Sequence, residues 1–244
     1  MHWTESEVYK MKVLYKRILS GISAGFLCFL LTACQQNIDT GSQSGANSAI
    51  SSETEKKEND LSNAAMLGNS YLYGFDTYSV LPETDCFYRV GLNVRTVFTE
   101  TMIDGEVPVI EELKNDKEYD EVLLMFGENE LGWPNEQAFL DGYSEIIDTV
   151  REYQPKATIY IQSMLPVSKE VSDKNEDGIN NKTIRERNEK LEALAEEKDA
   201  VYLDVASIVE DDNGDLPEDA ATDGIHPNIS YYRQWADFLK ENVN

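Results

Sequence analysis

From about residue 62 onward, short apolar runs alternate with longer amphipathic stretches, the pattern of a parallel sheet covered by helices. Glu121–Phe126, Thr158–Gln162 and Val201–Asp204 read as buried strands. Ala64–Leu67 and Val90–Val97 are weaker candidates and bring the expected sheet to about five strands. Behind Asn135, the residues Phe139, Leu140, Tyr143, Ile146, Ile147 and Val150 recur at three- and four-residue spacing, which predicts a helix with one apolar face. Lys182–Glu197 and Ser230–Glu241 carry similar stripes, and all three read as core rather than as ligand sites. The expectation is a single α/β domain over residues 62–244, a three-layer α/β/α sandwich around a central parallel sheet.

The N-terminal part has a different pattern. Lys12, Lys16 and Arg17 precede an apolar run from Ile18 to Leu31, shorter than the roughly 20 residues a spanning helix needs and laid out like a secretory signal. The run ends Leu31-Thr32-Ala33-Cys34, which resembles a bacterial lipoprotein cleavage box. That resemblance implies a signal peptide over residues 1–33 and a lipidated Cys34. The protein would then be anchored to the cell membrane on its extracytoplasmic side, or secreted if Cys34 is not lipidated. Glu5 and Glu7 are unlike a basic leader, so Met11 stands as an alternative start. Residues 34–61 read as a flexible tether, because the stretch from Gln35 to Asp60 has no aromatic residue and too little apolar surface to offset its ordering entropy.

Charge and rare residues narrow the function classes. The formal net charge is -25, and removing residues 1–33, with four basic and two acidic side chains, takes it to -27. Nucleic acid and strongly anionic substrates are disfavoured as partners. Cys86 stands alone in the expected domain, so no internal disulfide is available there. His2 and His226 are the two histidines, and imidazole chemistry in the exported part falls to His226. With no paired cysteines beside it, no zinc site is expected, and no cofactor is called for.

In an open parallel sheet, ligands sit beyond the carboxyl ends of the strands. Three polar segments occupy such places. In Leu67-Gly68-Asn69-Ser70-Tyr71 the glycine permits a tight strand-to-helix turn and leaves Ser70 near a helix N-terminus; locally, a serine there also reads as a cap. In Phe126-Gly127-Glu128-Asn129-Glu130 the Asn129 amide follows the most apolar strand, able to donate to a developing oxyanion, though alone it reads as a turn residue. In Asp223-Gly224-Ile225-His226 the spacing lets a carboxylate fold back onto an imidazole.

In this chain order the three segments resemble the SGNH hydrolases, also called GDSL-type esterases, over residues 63–238. The family's blocks are a Gly-Asp-Ser turn, a glycine, a Gly-x-Asn and an Asp-x-x-His. The resemblance implies a flavodoxin-like α/β/α fold, Ser70 as nucleophile, His226 as general base and acid, and Asp223 as its orienting partner. It also implies an oxyanion hole from the N–H groups of Ser70 and Gly91 and the amide of Asn129, with Gly91 the best match for the second block. The departure is Asn69, where the family usually has Asp; Asn keeps a hydrogen-bonding oxygen and loses the charge. Glu130, in a position often held by Asp, is a milder change.

The function implied is an extracytoplasmic serine esterase acting on short-chain, O-acetyl esters of carbohydrate or cell-wall glycan. The alternative is an inactive lipoprotein of the same fold that binds a glycan or a protein partner, a reading motivated by Asn69 and opposed by the retention of Ser70, Asn129, Asp223 and His226. One competing motif, Asp173-Lys-Asn175-Glu-Asp177-Gly178, resembles half of a calcium loop, but its twelfth position is Ile184 rather than the bidentate Glu, so it reads as a solvated acidic loop.

Overall fold

The computed structural model describes residues 59–244. The assigned signal peptide, Cys34 and most of the tether lie outside the described residues. Five strands form one parallel sheet: β1 (Ala64–Gly68), β2 (Asp85–Tyr88), β3 (Glu121–Met125), β4 (Thr158–Gln162) and β5 (Val201–Leu203), in the order β2-β1-β3-β4-β5. The described helices are α1 (Ser70–Tyr78), α2 (Glu136–Tyr153), α3 (Lys169–Lys174), α4 (Asn181–Glu197) and α5 (Ile229–Asn242).

Alternation along each strand divides the core into two faces. Ala65, Leu67, Val122, Leu124, Ile159 and Ile161 pack with α2 and α4. Ala64, Met66, Leu123, Met125 and Tyr160 pack with α1 and α5. The expected three layers are therefore present, with both faces of the sheet covered. Packing starts slightly before residue 62: Leu61 is buried, and the Asn59 N–H donates to the Lys240 carbonyl at 2.9 Å.

One expected strand is misplaced. Val90–Val97 is not a strand; the ladder partner of β1 is Asp85–Tyr88, and the chain then leaves the sheet through a turn at Arg89–Leu92 and a short 3-10 turn at Thr96–Phe98. Asn93 explains the local choice, since its Oδ1 accepts from the N–H groups of both Arg95 and Thr96 at 3.0 Å. A side chain that offers the backbone this alternative competes with a ladder. Val94 and Val97 are buried as apolar positions of a loop.

The chain runs from β1 to β2 on one side and then to β3 on the other, so the strand order reverses between β1 and β3. A crevice opens at that point beyond the strand ends. The two strands approach closely there: a Cβ at Gly68 would lie 2.5 Å from the Met125 carbonyl oxygen. Gly68→Ala therefore forces backbone apart, and a loss of about 1–3 kcal/mol is expected. Denaturant unfolding checks this, and an unchanged midpoint would show that the strand ends can yield.

Candidate active site

Ser70 is the first residue of α1, and Asn69 caps that helix, its Oδ1 accepting from the Tyr71 N–H at 3.2 Å and its carbonyl from the Leu72 N–H at 3.1 Å. The cap belongs to Asn69, which leaves the Ser70 side chain to other partners. Its Oγ lies 3.0 Å from Nε2 of His226. On the far side of the imidazole, Nδ1 is 2.7 Å from Oδ2 of Asp223. The other oxygen of Asp223 accepts the backbone N–H groups of Ile225 at 2.9 Å and His226 at 2.8 Å. Partial burial works against the Asp223 charge, but the His226 ring and these N–H groups outweigh it and hold the carboxyl well below the usual range.

Two anchors fix the His226 loop. Tyr71 in α1 places its ring 5.4 Å from the imidazole and donates its hydroxyl to the Ile225 carbonyl at 3.3 Å. From the other side, the Ser168 N–H donates to the Gly224 carbonyl at 2.8 Å. The segment carrying Ser168 is held by α4: Asn188 brackets Met164 at 2.9 Å on both N–H and carbonyl, and Asn181 brackets Val167 at 2.8 and 2.7 Å.

Asn129 lies in the 3-10 turn after β3, with Nδ2 donating to the Leu92 carbonyl at 2.7 Å. That bond uses one amide hydrogen and leaves the second. Gly91 is exposed in the turn next to Leu92, with φ +82°, so the two segments expected to supply oxyanion donors are tied to each other. The structure thus brings Ser70, His226 and Asp223 into one hydrogen-bonded chain and joins the Gly91 loop to Asn129.

Family membership follows from the sequence match. The GDSL-like lipase/acylhydrolase family matches residues 66–234. The chain belongs to this family. No curated protein matches the sequence. Among solved structures, a carbohydrate acetylesterase from Sinorhizobium meliloti is similar with a TM-score of 0.54 and 12% identity, over 74% of this chain and 97% of that one. A family 3 carbohydrate esterase from Talaromyces cellulolyticus gives 0.51 and 15%, over 74% and 95%. A GDSL-like lipase from Bacteroides thetaiotaomicron gives 0.55 and 15%, over 73% and 85%. At these identities the likeness is one of fold.

Two family-block residues carry electrostatics that the sequence analysis left without a role. Glu128, beside Asn129, accepts from Asn69 Nδ2 at 2.7 Å, and its other oxygen is enclosed without a protein partner. Burial pushes its carboxyl up to about 7. Glu130 is fully buried; Oε1 accepts from the Val94 N–H at 2.8 Å, and burial, partly opposed by that bond, pushes it up to about 7 as well. The signal for both was their position behind the most apolar strand. The acidic segment after Ser168 is otherwise organised: Asp173 pairs with Lys169 at 2.7 Å along α3, and Asp177 sits in a left-handed turn with φ 53°.

A carboxyl whose folded value is raised from 4.5 to about 7 binds its proton more tightly in the folded state, so stability falls as pH rises through that window. For Glu130 the loss is on the order of 2–3 kcal/mol. Glu130→Gln keeps an acceptor for Val94 and removes the titration, so its unfolding free energy should fall less than the wild type's between about pH 4.5 and pH 8. Denaturant titrations at the two ends check it, and parallel pH profiles for the two proteins would contradict it.

Proposed function

We propose that the protein is a serine esterase that hydrolyses short-chain, O-acetyl esters of carbohydrate or cell-wall glycan through an acyl-enzyme on Ser70. The observation that carries this reading is the unbroken chain from Ser70 Oγ to His226 Nε2 at 3.0 Å and from His226 Nδ1 to Asp223 Oδ2 at 2.7 Å. A serine hydroxyl is a poor nucleophile at neutral pH, so a base within hydrogen-bond reach must take its proton as Oγ attacks.

In this mechanism His226 accepts the Ser70 proton while the Oγ–carbon bond forms, and Asp223 stabilises the resulting imidazolium. The second amide hydrogen of Asn129 and the N–H groups of Ser70 and Gly91 face the carbonyl oxygen as it gains charge. Collapse of the tetrahedral intermediate breaks the ester carbon–oxygen bond, and His226 returns the proton to the leaving alcohol. Water then attacks the acyl-serine with His226 again as base, releasing the acid and restoring Ser70.

The openness of the site supports a bulky alcohol. The side chains of His226 and Asp223 keep 43% and 55% of their exposure, which suits an ester carried on a polymer. The carbohydrate esterases among the structural neighbours support the same substrate class. Export and anchoring through Cys34 belong to the proposal and rest on the Leu31–Cys34 sequence; such a protein would meet glycan at the outer face of the membrane.

The test is hydrolysis of acetyl and octanoyl nitrophenyl esters by the fragment from residue 59, beside folded variants. Acetyl ester turnover should exceed octanoyl, and Ser70→Ala and His226→Ala should abolish it. Asp223→Asn should lower kcat by about 10³–10⁴-fold, and Asn129→Ala by roughly 10²–10³-fold. Turnover that persists without Ser70 would refute the mechanism. No turnover by the wild type would favour a binding protein of the same fold.

A further inference from the structure

Asn69 is fully buried, and both ends of its amide are committed. Oδ1 faces the Tyr71 N–H, which can be satisfied only by an acceptor, so the NH₂ end faces Glu128, where Nδ2 and Oε2 are 2.7 Å apart. This bond crosses the crevice between the ends of β1 and β3. It ties the turn that presents Ser70 to the turn that presents Asn129, one residue from each.

The same geometry explains why Asn stands where the family pattern has Asp. A carboxylate at position 69 would meet the Glu128 carboxylate at hydrogen-bond distance in an enclosed place, where ionising both groups is strongly disfavoured and becomes more costly as pH rises. With an amide at 69 the titratable carboxyl sits on residue 128 instead. The Glu128 carboxyl is within electrostatic reach of His226, and the other charged or titratable groups it interacts with are Glu130, Tyr71, Tyr143 and Tyr232. Burial raises the ionisation of all three tyrosines well above the usual value, so they stay neutral through the working range.

We propose that Glu128 is a positioning residue acting through Asn69: the pair sets the distance between the Ser70 nucleophile and the Asn129 oxyanion donor, and it places at position 128 the carboxyl that the family pattern has at 69. The kinetic part rests on the esterase reading; the pairing does not. An Asp at 69 is harmful in this chain although it restores the family's usual residue. A glutamine at 128 relieves it, because its amide donates to the new carboxylate.

The experiment is a double-mutant cycle on wild type, Asn69→Asp, Glu128→Gln and the double variant, read as kcat, KM and melting temperature at about pH 6 and about pH 8. Asn69→Asp should lower kcat at least ~30-fold at the higher pH with KM changed less than about threefold, the loss relative to wild type shrinking at the lower pH as one carboxyl takes a proton. The double variant should recover most of that loss, and melting temperatures should show the same rescue. Full activity of Asn69→Asp at the higher pH, or strictly additive effects in both readouts, would overturn the proposal. If the wild type turns over no ester the esterase reading falls, and the melting-temperature cycle alone then decides whether residues 69 and 128 act as a pair.

Discussion

The hydrogen bond between Ser70 and His226 joins residues 156 positions apart in the chain, and it survives only if the elements carrying them are held rigidly against each other. The aromatic seam between α1 and α5 does this. Phe75 meets Trp235 edge-on at 4.9 Å and Tyr232 at 5.1 Å, and the Tyr232 hydroxyl donates to the Tyr71 carbonyl at 2.8 Å. Trp235 in turn donates its indole N–H to Gln162 at the end of β4 at 2.8 Å, so α5 is pinned to the sheet. Aromatic pairs of this kind contribute about 0.5–1.5 kcal/mol each beyond the area they bury, and directional bonds to buried groups fix one arrangement among several of similar area. Tyr71 closes the chain of contacts, packed in the seam on one side and against His226 on the other.

The opposite wall of the site depends on close approach rather than on aromatic bulk. Gly68 lets β1 end against Met125, and Gly127, at φ +135°, takes the chain out of β3 where a side chain would strike Met164. These two glycines bring Asn69 and Glu128 within one hydrogen bond. The result is an acidic interior beneath an acidic surface: Glu128 and Glu130 are held near neutrality's edge by burial, while Asp223, anchored by two N–H groups and the imidazole, stays ionised. One fold thus shifts its carboxyls in opposite directions, upward by burial at Glu128 and Glu130 and downward by the donors around Asp223.

Most of this was legible in the sequence. The strands that read clearly, at Glu121, Thr158 and Val201, are all present, but only the first two are buried runs; β5 is an edge strand with Val201 exposed and Leu203 buried. The helix behind Asn135 shows its cap and its stripe together. Ser70, Asp223 and His226 could be found because their segments follow strands or sit at a fixed three-residue spacing. Val90–Val97 misled because Val94 and Val97 bury themselves in a loop that Asn93 organises, and apolar content alone does not separate the two cases. The Asn69–Glu128 bond was not legible, since its partners are 59 residues apart and only the reversal of strand order brings them together. Asn69 reads as a loss from the sequence alone because its partner carboxyl, Glu128, lies in the turn after β3.

Covalent labelling of the described domain by a fluorophosphonate, read by peptide mass spectrometry, tests the central claim that His226 activates Ser70. The account predicts a single adduct on the peptide containing Ser70, formed slowly or not at all in His226→Ala. An unlabelled Ser70 in the folded wild type, or labelling that proceeds equally well without His226, would contradict it.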